Sequence, residues 1–123
     1  KGTSLHVKIG YAYFWSMLFM NLTALGIYNF GSVSLFHGFV IISLLTLGLG
    51  LYPAIKRTRN WYYQHYYFMS WSVVGLYCAF WAEVGTRVLD MQYFWWIVMG
   101  ATCLTTTIGG VIIQKKAKNL KTT

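Results

Sequence analysis

Apolar side chains fill four stretches of the chain almost without interruption, and polar residues gather in the gaps between them. The stretches run from about Ile9 to Tyr28, Ser34 to Pro53, Tyr66 to Val88 and Tyr93 to Ile113. Each is close to the roughly 20 residues that a helix needs to cross a hydrocarbon core about 30 Å thick. None alternates with the period of two expected of a barrel strand. Lipid admits only helices and closed barrels, so the pattern predicts four membrane-spanning helices. The connections "NFGSV", "KRTRNWYYQ" and "LDMQ" are short, which makes neighbouring helices antiparallel. Gly31 is expected to stop the first helix, Ser32 or Ser34 to cap the second, and Pro53 to end it. No linker divides the chain. The expectation is a single all-α domain over residues 1–123, a polytopic four-helix transmembrane bundle.

Composition agrees with that solvent. The chain is 57% hydrophobic, 20% aromatic and only 10% charged, against about 25% charged in soluble domains. "KGTSLHVKIG" is too polar, and the run after it too long, for a secretory leader. The net charge of +8 does not point to nucleic acid, because the basic residues sit at the ends of apolar runs, where topology signals sit. Lys1, Lys8, Lys56, Arg57, Arg59, Lys115, Lys116, Lys118 and Lys121 fall on one side of a four-span layout, and Arg87 alone on the other. The positive-inside rule then puts both termini in the cytoplasm. The basic side would meet anionic lipid headgroups. The aromatic runs "NWYYQHYY" and "MQYFWW" fall where interfacial belts are expected. Cys78 and Cys103 lie inside spans and give no disulfide framework.

A weak internal repeat accompanies the four runs. Setting His6 on His65 places Gly26 on Gly85, and each second helix carries a late glycine pair, Gly48 with Gly50 and Gly109 with Gly110. This fits a duplicated helical hairpin with a pseudo-twofold along the membrane normal, although glycine is common in spans in any case.

Two groups of polar residues stand out by depth. At 1.5 Å per residue, His37 and Glu83 both fall about 7–10 Å below the outer surface. Arg87 shares the face of Glu83 one turn on, and Asn21 and Tyr28 lie at a comparable depth on the first helix. His37, Glu83, Arg87 and Asn21 therefore form a candidate buried outer-leaflet site, since ionisable groups within spans mark functional sites by default. Its plain alternative is interhelical glue. On the cytoplasmic side, His6 and His65 lie about one turn outside the apolar core, on helices that are diagonal in an up-down bundle. Such a pair can clamp a metal or act as axial haem ligands, or simply face headgroups. His37 is a third, weaker metal-ligand candidate. No HExxH, CxxC or phosphate loop is present. Ser43, Thr46, Ser70, Ser72, Thr105, Thr106 and Thr107 are expected to hydrogen-bond between helices rather than act as nucleophiles.

On these residues the chain resembles a family of bacterial membrane proteins catalogued as domain of unknown function 2306. "HVKIGYAY" matches its H-x-x-x-G-x-x-Y opening, "FHGFVIISLLTLGLG" its next helix, and "HYYFMSWSVVGLYCAFWAEVGTRV" its third. The resemblance covers most of the chain and rests on His6, Gly10, Tyr13, His37, His65, Met69, Glu83 and Arg87. It implies a bacterial inner-membrane location and further helix upstream of Lys1, but no settled activity. The layout is more distantly similar to the transmembrane cytochromes b that take electrons from ascorbate and bind haem between two histidine pairs. Only His6 and His65 match in depth here, so a second haem is not implied.

The leading functional expectation is a small redox or metal-binding membrane module. Haem b or a transition metal would be held at His6 and His65, and His37, Glu83 and Arg87 would form an outer polar site. The alternatives are a non-catalytic membrane subunit or assembly partner, in a larger complex or a homo-oligomer, and a proton-coupled small-solute transporter using Glu83. The absence of broken helices weighs against transport. No catalytic residue is assigned.

Overall fold

A computed structural model describes residues 2–26, 35–88 and 91–121. Among them it has four α-helices and no strand: α1 (Ser4–Leu25), α2 (Leu35–Lys56), α3 (Trp61–Val88) and α4 (Phe94–Lys121), with a single 3-10 turn at Met91–Tyr93 before α4. The all-helical reading therefore holds. The expected stops and caps at Gly31, Ser32 and Ser34, and the positions of Tyr28 and Asp90, lie outside the described residues.

Each helix outruns its apolar stretch at one end. Thr3, with extended backbone, caps α1 by accepting the His6 amide at 3.2 Å, so α1 begins at Ser4 rather than Ile9. Pro53 does not end α2, which continues to Lys56. The proline removes one amide donor, but its own carbonyl still accepts the Arg57 amide at 2.9 Å. α3 starts at Trp61, inside the expected loop, and α4 runs on through the basic tail. Apolar length reports the width of the hydrocarbon, and a helix can continue past it while its backbone remains bonded.

Two compact units divide the chain, Lys1–Gly48 and Leu49–Thr123. In the first, Met17 and Asn21 are the buried residues of α1, one turn apart on one stripe, and Leu47 is buried on α2. The second is built on an α3–α4 hairpin. Close approaches between its helices run in opposite order: Gly85 with Ile97, Cys78 with Thr102, Val74 with Gly109, Trp71 with Gly110 and Tyr66 with Lys116. That order makes the two helices antiparallel, as the short connection requires. Gly85 and Gly109 are both points of tight approach. A methyl group at Gly109 would collide with the Val74 side chain, so the absent Cβ permits the packing.

Little of the apolar surface is buried inside either unit. Buried hydrophobic residues among those described are Met17, Leu47, Val74, Val98, Ile113 and Ala117, while Trp96, Phe19 and Leu104 are 81%, 72% and 67% exposed. Exposed apolar surface on this scale is foreign to a monomer in water. Two helices are long and apolar enough to cross a membrane, Phe36–Lys56 and Phe94–Leu120. α1 and α3 have the length, but Lys8 and Asn21 lower the apolarity of α1, and tyrosines and tryptophans, rings with a polar tip, that of α3.

Three of the hydroxyls expected between helices serve their own instead, while Thr105 on α4 reaches the Cys78 thiol on α3 as expected. Thr46 donates to the Ser43 carbonyl at 2.9 Å, Thr106 to Thr102 at 2.6 Å and Thr107 to Cys103 at 2.7 Å. A threonine hydroxyl on a helix reaches the carbonyl three or four residues back without any neighbour.

Candidate functional site

A histidine of α3 is tied to the backbone of α2 at the corner between the end of α2 and the start of α3. Pro53 is buried there. Its ring crowds the preceding turn of α2 and leaves that turn one amide hydrogen bond short. Gly50 belongs to the same turn. From α3, His65 Nδ1 lies 2.8 Å from the Gly50 carbonyl oxygen. A carbonyl can only accept, so Nδ1 carries the proton. In the neutral ring the lone pair is therefore on Nε2.

Gly50 is also a contact point for Met69, one turn after His65 on the same face of α3. A Cβ on Gly50 would lie 2.8 Å from Met69 Sδ, 2.9 Å from its Cγ and 3.1 Å from its backbone nitrogen. The missing side chain thus lets α3 approach closely enough for the His65 bond to form. In the sequence, a family resemblance marks both Met69 and Gly50, and the internal repeat marks Gly50 again. The signal that joins them is glycine three residues before a helical proline, then a histidine and a methionine four apart on the next helix.

The turn between the helices is held by its own bonds. Arg57 and Asn60 have left-handed backbones, with φ of 52° and 63°. Asparagine tolerates this at little cost; for arginine it costs about 1 kcal/mol or more. The Arg57 guanidinium lies 4.1 Å from the centre of the Trp61 ring, a cation–π contact that offsets about 0.5–1 kcal/mol at an exposed site. The Trp61 amide donates to the Thr58 carbonyl at 3.0 Å, the Gln64 amide to the Asn60 carbonyl at 3.1 Å, and Thr58 Oγ1 to Gln64 Oε1 at 3.2 Å.

The remaining candidates are placed as follows. His6 is exposed in the first turn of α1, with its ring against Gly2, where a Cβ would meet Cδ2 at 2.9 Å. Asn21 is 4% exposed, and its Nδ2 donates to the Met17 carbonyl at 2.7 Å. His37 is half-buried in the first turn of α2. Glu83 and Arg87 are brought together as the sequence spacing predicts, with Arg87 Nε donating to Glu83 Oε1 at 2.7 Å. Their side chains are 61% and 76% exposed, so the pair lies on the surface of its own unit. His6, Asn21 and His37 belong to the first unit and His65, Glu83 and Arg87 to the second. Among the described residues, no three of histidine, cysteine, aspartate and glutamate gather where they could hold a metal ion. Methionine sulfur lies outside that set. Cys78 and Cys103 are free thiols. No family model, curated protein or solved structure matches the chain.

Proposed function

We propose that the chain is an integral membrane protein with four spans and both termini cytoplasmic, in which His65 is a ligand for a transition metal or haem. The observation that carries this reading is the His65–Gly50 bond. Metal-binding histidines characteristically donate their other ring N–H to a carboxylate or a backbone carbonyl, which fixes the tautomer and aims the ligating nitrogen. Here Nδ1–H is committed to a carbonyl, and the lone pair of the neutral ring is on Nε2. Met69 adds a soft thioether one turn away. Imidazole with thioether suits copper. A bound metal or haem would supply one-electron chemistry, and the chain's own part is to hold Nε2 in one orientation.

Two substitutions separate ligation from packing. In His65→Asn the side-chain amide can still donate to Gly50, but the Nε2 ligand is gone. In His65→Ala both are lost. The detergent-purified protein is expected to carry a Soret band that shifts on dithionite reduction, or stoichiometric copper or another transition metal. The signal should vanish in both variants, while the His65→Asn variant keeps its stability. A colourless, metal-free wild type, or a signal that persists in His65→Asn, would overturn the assignment.

A second reading, a non-catalytic membrane subunit, is favoured by a different observation. An open apolar groove of about 700 Å³ runs between α3 and α4, lined by Tyr77, Trp81, Trp96, Leu104 and Ile108 among others. Substituting Trp81 and Leu104 with alanine should then break up a complex isolated from membranes while sparing the His65 signal.

A further inference from the structure

One end of the α3–α4 hairpin is crowded with cations. Lys56 and Arg57 lie at the end of α2, Arg59 in the turn, and Lys115, Lys116 and Lys118 in the last turns of α4, and all six are exposed. The antiparallel packing carries the α4 tail back beside the start of α3, where Lys116 Nζ lies 5.8 Å from the centre of the Tyr66 ring. Arg57 is seated over Trp61 at 4.1 Å. In both cases a neutral ring, rather than a carboxylate, positions the cation. A ring attracts the charge without cancelling it and leaves N–H donors on the far side of the cation. The nearest described acid on α3, Glu83, lies about 25 Å from Tyr66 along the helix axis at 1.5 Å per residue. Glu83 is the only acidic side chain among the described residues, and it is far from Arg57 and Lys116.

The surroundings select the kind of anion. Trp61, Tyr62, Tyr63, Tyr66 and Tyr67 form a belt of amphipathic rings at this end of α3, the residue types that settle at headgroup depth. Both helices that are apolar and long enough to cross a membrane finish here, one at Lys56 and the other at Leu120. A phosphate at this corner would thus lie where hydrocarbon gives way to water. We propose that the corner binds the headgroups of anionic phospholipids, to which Arg57 and Lys116 each offer N–H donors. The proposal rests on the membrane placement above but not on any metal.

The test is native mass spectrometry of the full chain released from detergent, with phosphatidylglycerol and phosphatidylcholine titrated in parallel. Wild type should retain phosphatidylglycerol preferentially. Each charge removed should weaken that binding about fivefold, and R57Q/K116Q together about 25-fold, from the per-residue attraction of basic side chains to anionic surfaces. K8Q, on α1, serves as the control and should match wild type. If the double variant loses helix by circular dichroism, the single variants R57Q and K116Q are read in its place. Equal retention of the two lipids would overturn the proposal, as would a preference that survives loss of both charges. Displacement of phosphatidylglycerol by millimolar inorganic phosphate would assign the corner to a soluble anion instead. A chain that stays in solution without detergent would refute the membrane placement itself, a distinct failure.

Discussion

Gly50→Ala is the sharpest perturbation of the α2–α3 corner. The new Cβ would lie 2.8 Å from Met69 Sδ, 2.9 Å from Cγ and 3.1 Å from the Met69 backbone nitrogen, where carbon contacts prefer about 3.5–4.0 Å. The Met69 side chain can swing aside. Its backbone nitrogen cannot, so α3 must shift by a few tenths of an ångström away from the end of α2. Overpacking of this kind costs about 1–3 kcal/mol. The His65–Gly50 bond at 2.8 Å stretches with the shift, and its loss costs a further 0.5–1.5 kcal/mol or so. Alanine gives back about 1 kcal/mol of helix propensity. The balance is a loss of roughly 0.5–3.5 kcal/mol. Gly48→Ala is the control on the same helix, because a methyl there meets nothing within 4 Å and should stabilise by up to about 1 kcal/mol. Equilibrium unfolding in mixed micelles, followed by circular dichroism, measures both. Adding Met69→Ala to Gly50→Ala should recover the side-chain part of the cost and leave the backbone part. If Gly50→Ala proves as stable as Gly48→Ala, α2 and α3 do not meet at this glycine, and the case for His65 as an oriented ligand loses its support.

The α3–α4 seam offers a matched test: Gly109→Ala should destabilise by about 1–3 kcal/mol through its collision with Val74, and adding Val74→Ala should restore much of that loss in the same assay. Thr3→Ala removes the α1 cap and should cost about 0.5–2 kcal/mol, seen by hydrogen exchange as faster opening of the first turn alone. Glu83→Gln reports on depth. If the third span holds the pair in hydrocarbon, stranding Arg87 should cost about 2.5 kcal/mol or more, whereas a change of a few tenths would place this exposed pair in water.

The sequence by itself determined that the chain is helical, roughly where each helix lies, and that Glu83 and Arg87 meet. Each of these follows from periodicity and local spacing, which a helix converts into geometry with no help from elsewhere in the chain. It could not set the helix ends, because an apolar run reports lipid thickness while a cap such as Thr3, or an amide bond to the Pro53 carbonyl, decides where the backbone stops. It overestimated what Thr46, Thr106 and Thr107 do between helices, because each finds an acceptor on its own backbone first. Only the tertiary structure decided the corner where Gly50, His65 and Met69 meet. His65 and its acceptor are 15 residues apart on different helices. Their meeting depends on a turn with two left-handed residues and on a glycine whose missing side chain is visible only once a neighbour is packed against it.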